Sequence, residues 1–204
     1  PAAFVTAPCP GCGYNARVVK TRLQRIPVRP SAQRGASGSG VAQALLRMSL
    51  IPQLLPLTNV VVDLDASSKK RVFEQAGLLF ENNQGIARSL VFDSLFARER
   101  LGSTGLGQGI AIPHGRIKGL KDAAGAFLRL ATPVQFDAPD GRPVNLLFVL
   151  LVPEQANETH LQLRSELAQM FSDRTFREEL LHARDDAHIH QMFMNWGSDA
   201  TNQR

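Results

Sequence analysis

A nearly continuous apolar run at residues 144–152, which reads VNLLFVLLV and is followed by Pro153, constrains the fold more than any other feature of this chain. The run is too short for a membrane-spanning helix, which needs about 18–20 apolar residues, and the sequence has no longer one. A strand is apolar at nearly every position only when both of its faces are buried. The sequence therefore predicts a central strand here, in a sheet that is covered on both faces.

Strand and helix patterns alternate along the rest of residues 49–196. Ser67 or Ser68 is the predicted N-cap of a helix, because apolar residues recur at helical spacing after it. The other predicted elements are strands at 60–64 and 124–130, an extended segment at 110–112, a loop at 102–109, and helices at 88–100, 159–171, 174–181 and 187–196. We expect a single α/β domain whose mixed β-sheet is flanked by helices on both faces.

The first 47 residues differ from the rest in composition and charge. They hold seven basic residues, no acidic residue, five prolines and five glycines, and they include the linker-like segment RGASGSG at 34–40. The chain has 23 basic and 18 acidic residues, so residues 48–204 keep 16 basic and 18 acidic ones, a net charge of −2. The overall charge of +5 therefore does not predict a nucleic-acid-binding domain. We expect a flexible N-terminal extension at 1–47, a folded domain at 48–198 and a tail at 199–204.

Cys9 and Cys12 are the only cysteines, and both lie in this extension. Two cysteines are too few for a disulfide framework, and a closed zinc site needs four ligands. We expect no bound metal, although the pair resembles half of a zinc ribbon and metal binding by it stays an open alternative. The cysteine usage and the lack of a secretory pattern at the first residues favour a cytoplasmic protein without membrane insertion.

A glycine-rich segment at residues 102–109, which reads GSTGLGQG, leads into Pro113 and His114. Its spacing matches neither the Walker phosphate loop nor the dinucleotide-binding pattern, and such a segment is often a plain turn. Glycine lets backbone N–H groups approach an anion, and hydroxyl groups add donors beside an imidazole. This combination suits a phosphate group better than a metal. The candidate phosphate-binding residues are Ser103, Thr104, Gly105, Gly107 and Gly109.

His114 is the candidate for chemistry at this segment. A neutral imidazole is a nucleophile near pH 7, and its phosphoramidate stays reactive enough to pass the phosphoryl group on. The protein then needs to supply positioning and charge stabilisation more than acid–base catalysis. The alternative is a structural histidine in a loop at the end of a strand.

Residues 98–115, which read RERLGSTGLGQGIAIPHG, resemble the phosphorylation-site signature of the fructose/mannitol-type IIA components of the bacterial phosphoenolpyruvate phosphotransferase system. The resemblance extends from about residue 50 to residue 196. Residues 136–154, which read FDAPDGRPVNLLFVLLVPE, are similar to the nitrogen-regulatory branch of that family in particular. In that branch the IIA domain stands alone and receives its phosphoryl group from a histidine phosphocarrier protein.

The resemblance implies a role for each of several residues. His114 takes the place of the phosphorylated histidine, and His160, 46 residues later, takes that of a second active-site histidine. Arg98 matches the active-site arginine, and Ser103 and Thr104 match the hydroxyl positions. The alternatives are a solvent-facing His160 near a helix N-terminus and an Arg98 that forms a surface ion pair within its Arg-Glu-Arg run.

The resemblance also implies an enzyme of the phosphotransferase class that works through a phosphohistidine and needs no cofactor. Its expected partners are a histidine phosphocarrier and regulatory target proteins of nitrogen or potassium metabolism. One alternative is a sugar-specific IIA component that passes phosphate to a IIB transporter domain. Another is a nucleic-acid- or ribosome-binding protein that acts through residues 1–47, although we expect no nucleic acid partner. The sequence does not decide whether the chain forms a homo-oligomer.

Overall fold

The computed structural model describes residues 50–155 and 158–196, and of residues 158–160 it describes the backbone. The predicted N-terminal extension and the predicted tail lie outside these residues. The helices are α1 (Ile51–Leu54), α2 (Lys69–Gln84), α3 (Arg88–Arg100), α4 (Glu158–Ser172), α5 (Arg174–His182) and α6 (Asp186–Asn195), with a short 3-10 turn at Leu57–Asn59. The strands are β1 (Val60–Leu64), β2 (Gly105–Gly107), β3 (Ile110–Ala111), β4 (His114–Ile117), β5 (Ala124–Val134) and β6 (Val144–Pro153).

The six strands form one mixed sheet, as the sequence predicts. β1 runs parallel to β5, and β5 and β6 form a long antiparallel pair. β3 and β4 lie one after the other along the far edge of β6, both parallel to it, and β2 folds back antiparallel on β3. The apolar run that predicts a central strand is β6, which has neighbours on both edges.

The core lies on both faces of the sheet because the side chains of β6 alternate between them. Leu146, Phe148 and Leu150 pack with the helices α1, α4, α5 and α6. Leu147 and Val149 pack on the other face with α2 and α3. Burying each of these side chains contributes about 1.5–3 kcal/mol, so the two helical layers are held mainly by this strand and its neighbour β5.

Both ends of α2 follow from its sequence. The side chain of Ser68, one of the two predicted caps, accepts a hydrogen bond from the backbone N–H of Arg71 at 3.3 Å. Gly85 ends the helix in the left-handed conformation, with φ of +67°, which a residue without a Cβ adopts at no steric cost. Among the described helices, none is both long and apolar enough to cross a membrane.

The structure corrects the sequence prediction at the short elements. Residues 105–107 form β2 rather than loop, and His114, expected in a loop, begins β4. The strand predicted at 124–130 continues to Val134, and α1 has no counterpart in the prediction. Strands of two to four residues pair over too short a length to leave a period in the sequence, and Pro113 interrupts the edge between β3 and β4.

Candidate functional site

His114 is the first residue of β4 and lies opposite Leu150 of β6. The strand alternation places Gly115 and Ile117 towards the α2–α3 layer, where Ile117 is buried. His114 and Arg116 point to the other face of the sheet, the imidazole half-buried and Arg116 exposed. The candidate nucleophile therefore stands at the edge of the sheet, open on one side to solvent.

Helix α3 lies directly against β4 because of a glycine. A Cβ on Gly115 would stand 2.4 Å from Oγ of Ser94, so only glycine permits this approach. The Ser94 hydroxyl donates to the carbonyl of Arg116 at 2.9 Å. Arg98 lies four residues after Ser94 on the same side of the helix, and its Nε donates to Nε2 of His114 at 3.0 Å. The contact between Arg98 and His114 thus depends on close packing one turn earlier.

Two hydrogen bonds assign the tautomer of His114. Its Nδ1 lies 3.0 Å from the backbone carbonyl of Ile112, which can only accept, so Nδ1 carries the proton. Nε2 accepts the hydrogen bond from Arg98 and is therefore the unprotonated nitrogen of the ring. The second guanidinium contact of Arg98, from Nη1 to the carbonyl of Gly102 at 2.9 Å, holds that side chain in place. The nucleophilic nitrogen of the neutral ring is Nε2.

The surroundings of His114 favour its neutral form. Burial lowers the pKa of the imidazole, and the positive charges of Arg164 and Arg98 lower it further. The hydrogen bond to Ile112 and the carboxylate of Glu99 act in the opposite direction, and the pKa still ends below the ordinary value of 6.5. The lowered pKa therefore favours the uncharged ring near pH 7, with Nε2 unprotonated.

The two hydroxyl groups predicted to bind phosphate have protein partners. The Ser103 hydroxyl donates to the carbonyl of Phe136 and accepts from the N–H of Gly105 at 3.0 Å. Thr104 is buried, and both its N–H and its hydroxyl donate to the carboxylate of Glu99, at 3.0 and 2.5 Å. In this structure these groups stabilise the loop. Phosphate binding by Ser103, Thr104 or Gly105 stays a prediction.

The other two predicted glycines form the tight turn between β2 and β3. Gly107, Gln108 and Gly109 all have positive φ, of 91°, 55° and 81°. The N–H of Gln108 at the tip donates to the carboxylate of Asp140 at 2.6 Å, and the carbonyl of Gly109 accepts from the N–H of Asn145 at 2.9 Å. No described contact joins Gly107 or Gly109 to His114. A carboxylate at this turn disfavours a second anion, so phosphate binding there stays a prediction.

Helix α4 brings a charge to the site that the sequence analysis missed. Arg164 is close enough to His114 and Arg98 for its charge to lower the pKa of His114, and burial and Arg98 lower the pKa of Arg164 in turn. His160 lies one helical turn before Arg164, so both residues occupy the same side of α4. The backbone thus places His160 on the side of α4 from which Arg164 acts on His114.

Glu99 and Lys69 are further site residues that sequence reasoning missed. Glu99 reads as part of an exposed Arg-Glu-Arg run but is buried in the structure, and Lys69 is 30 residues distant in sequence. The signal for Arg164 was its spacing of four residues from His160. In the described part of the chain, no group of three or more His, Cys, Asp or Glu side chains is placed to hold a metal ion. Cys9 and Cys12 lie outside that part.

The sequence matches a known protein family over residues 53–196, the family described as "Phosphoenolpyruvate-dependent sugar phosphotransferase system, EIIA 2". The nitrogen regulatory protein of Pseudomonas aeruginosa is 43% identical over 149 residues, which cover 72% of this chain and 97% of that protein. The crystal structure of the nitrogen regulatory protein IIA-Ntr from Neisseria meningitidis is similar with a TM-score of 0.68 and 52% identity, covering 71% of this chain and 99% of that one.

A more distant structure shares the fold alone. The crystal structure of IIA mannitol from Escherichia coli aligns with a TM-score of 0.57 at 22% identity, covering 68% of this chain and 97% of that one. The mixed sheet with helices on both faces is therefore common to the nitrogen-regulatory and the mannitol proteins.

Proposed function

This chain belongs to the phosphoenolpyruvate-dependent sugar phosphotransferase system EIIA 2 family, and we propose that within it the chain is a regulatory phosphocarrier. It takes a phosphoryl group from a histidine phosphocarrier protein onto Nε2 of His114. Its phosphorylation state then controls its binding to regulatory proteins of nitrogen or potassium metabolism. We propose that the chain acts in the cytoplasm, as the sequence analysis expects.

The single observation that carries the proposal is the fixed tautomer of His114. The Ile112 carbonyl holds the proton on Nδ1, which leaves Nε2 as the nucleophile. In the proposed step Nε2 attacks the phosphorus atom of the donor phosphohistidine. A new P–N bond forms, the donor's P–N bond breaks, and its electron pair stays on the donor imidazole. The Ile112 carbonyl also stabilises the partial positive charge that the ring of His114 acquires.

Arg98 supports the transfer through its two contacts. In the unphosphorylated protein its Nε occupies the lone pair of Nε2, and its Nη1 stays on the Gly102 carbonyl. When the phosphoryl group arrives, the guanidinium releases Nε2 and donates to a phosphoryl oxygen instead. Arg164 adds a second positive charge, and charge-assisted hydrogen bonds from guanidinium groups to phosphate are strong. His160, on the same side of α4 as Arg164, is the proposed second imidazole at the phosphoryl group.

The comparisons favour the nitrogen-regulatory function over the sugar-specific one. The relatives at 43% and 52% identity are named nitrogen regulatory proteins. The mannitol protein, at 22% identity, shares the fold only. Because the chain matches the nitrogen regulatory proteins over nearly their whole length, we assign regulation rather than sugar uptake to it.

The test is to incubate the chain with phosphoenolpyruvate, the first enzyme of the phosphotransferase system and a phosphocarrier, and to map the modified residue. We expect an acid-labile, base-stable phosphate on His114 that His114→Ala abolishes without unfolding the domain. His182→Ala, which changes an exposed helical histidine, is the matched control and should be labelled normally. Label on another residue contradicts the proposal, and rapid passage to a fructose or mannitol IIB domain favours the sugar-specific alternative.

A further inference from the structure

A charged side chain is buried beside the candidate site without any part in the step described above. Among the described residues, four polar or charged residues are buried: Asn59, Glu99, Thr104 and Arg129. Two of these, Glu99 and Thr104, contact each other, and Glu99 is the residue next to Arg98 in the chain. Burying a carboxylate costs free energy that burying an apolar residue of the same size would not cost. The burial of Glu99 therefore needs an explanation other than stability.

The Glu99 carboxylate accepts three hydrogen bonds, from two parts of the chain. Oε2 accepts both the N–H and the hydroxyl of Thr104, at 3.0 and 2.5 Å. Oε1 accepts from Nζ of Lys69, the first residue of α2, at 2.9 Å. Lys69 also donates to Asp137 at 2.8 Å and lies 5.2 Å from the ring centre of Phe136. We refer to Lys69, Glu99, Thr104 and Asp137 as the Glu99 cluster.

The Glu99 cluster contains one positive side chain, Lys69, paired with two carboxylates. Hydrogen bonds and charges from Asp137 and Glu99 raise the pKa of Lys69, although its burial acts to lower it. The ammonium therefore stays charged and neutralises the buried carboxylate. The cluster thus joins the end of α3, the start of α2 and the segment after β5 by short charged contacts.

The contacts of Glu99 influence the position of the Arg98 side chain in two ways. Glu99 is the next residue in α3, so the position of its carboxylate determines how the last turn of the helix is held. Thr104 lies two residues after Gly102, whose carbonyl accepts from Nη1 of Arg98. Glu99 therefore holds both the helix end that carries the guanidinium and the turn on which the guanidinium rests.

We propose that Glu99 is a positioning residue for phosphoryl transfer, which acts through Thr104 and Gly102 to hold the Arg98 guanidinium beside Nε2 of His114, where it can donate to the incoming phosphoryl group. The expected change in the rate of phosphorylation rests on the proposed function, whereas the expected effect on the position of Arg98 does not. In the unphosphorylated protein the role of the Thr104 hydroxyl is then to donate a hydrogen bond to Glu99. A displacement of about 1 Å in such a contact can lower a rate about a hundredfold.

The test uses two variants of the full chain. Glu99→Gln keeps the size of the side chain and removes its charge, and Thr104→Val keeps the shape and removes the hydroxyl. We expect each to lower the saturating rate of phosphorylation about tenfold to a hundredfold, while the phosphocarrier concentration for half-maximal rate changes less than twofold. Thr104→Ser, which restores the hydroxyl, should recover most of the rate that Thr104→Val loses.

A spectroscopic measurement on unphosphorylated protein separates positioning from simple stability. The ¹⁵N shift of Nε2 of His114 should move towards that of a free imidazole nitrogen in Glu99→Gln and Thr104→Val, because the hydrogen bond from Arg98 weakens. Glu178→Gln, which changes an exposed carboxylate paired with Arg174, is the matched control and should alter neither the rate nor the shift.

Three outcomes overturn the inference. One is an unchanged rate and an unchanged ¹⁵N shift in both variants. Another is a lower melting temperature with a normal rate per folded molecule, which would make the Glu99 cluster purely structural. The third is a loss of rate with an unchanged ¹⁵N shift, which would point to direct phosphate binding by Thr104. If the unaltered chain accepts no phosphate, the proposed function fails, and the ¹⁵N shifts still decide the role of Glu99.

Discussion

The reactivity of His114 is determined by the groups that face it. Ile112 fixes the proton on Nδ1, while burial together with Arg98 and Arg164 outweighs Glu99 and lowers the pKa. A lowered pKa keeps the ring neutral at pH values where an ordinary histidine is half protonated. The same two arginines that favour the neutral ring favour a phosphoryl group after transfer, because its negative charge attracts them.

The first prediction at this scale concerns Arg164. Arg164→Gln removes a positive charge near His114, so the pKa of His114 should rise towards 6.5. As the pH is lowered, phosphorylation of the variant should therefore begin to decline at a higher pH than that of the unaltered chain. NMR titration of His114 measures the pKa directly.

Arg174→Gln, which changes an exposed arginine on α5, is the control and should leave the titration of His114 unchanged. A His114 pKa that does not move in Arg164→Gln would show that Arg164 is electrostatically remote from the site.

Some residues of the site can be predicted from the sequence and others cannot. His114, Arg98 and His160 stand in a motif or at a spacing that resembles a known family. Glu99 lies within the same motif and Arg164 lies four residues after His160, but their effects depend on burial and on which helix faces the imidazole. A pattern along one chain does not contain those distances.

At the scale of elements, the sequence predicts the long helices and strands but not the shortest strands. The five helices from α2 onward and the strands β1, β5 and β6 each have an apolar period, a cap or a continuous apolar run. β2, β3 and β4 are two to four residues long. β3 and β4 pair with the edge of β6, and β2 pairs with β3. The position of His114 on a strand was therefore beyond the reach of the sequence.

The contact between α3 and β4 supplies a prediction at this scale. Gly115→Ala places a Cβ 2.4 Å from the Ser94 hydroxyl, so α3 must move away from β4. We expect a loss of about 1–3 kcal/mol in the free energy of unfolding and slower phosphorylation, since Arg98 moves with the helix. Denaturant unfolding and the labelling rate measure the two effects.

The compensating variant makes this prediction specific. Ser94→Ala removes the clashing oxygen, and the remaining Cβ of residue 94 lies 3.1 Å from the added Cβ. The double variant Ser94→Ala/Gly115→Ala should therefore recover part of both losses. If Gly115→Ala is as stable and as fast as the unaltered chain, the close approach of α3 is not what places Arg98.

At the scale of the whole molecule, charge and fold are distributed unequally along the chain. Residues 1–47 hold seven basic and no acidic residues, whereas residues 48–204 carry a net charge of −2. The family match begins at residue 53, and each residue proposed for the site lies after it. The high isoelectric point of the chain is therefore unrelated to the proposed chemistry.

The prediction at this scale is that residues 1–47 are dispensable for phosphorylation. A chain that starts at Met48 should match the full chain in melting temperature and in its rate of labelling by the phosphocarrier. Any salt-sensitive binding of nucleic acid should disappear with the deletion, because the excess positive charge is removed. A melting temperature lower by more than a few degrees, or zinc bound at Cys9 and Cys12, would show that residues 1–47 contribute to the working protein.

The central claim is that the fixed tautomer makes Nε2 of His114 the phosphoryl acceptor. NMR of the ¹⁵N-labelled, phosphorylated chain tests it most directly, because coupling between ³¹P and ¹⁵N identifies the bonded nitrogen. We predict coupling to Nε2 of His114, with Nδ1 still protonated and bonded to the Ile112 carbonyl. Coupling to Nδ1, or to a nitrogen of any other histidine, would contradict the account.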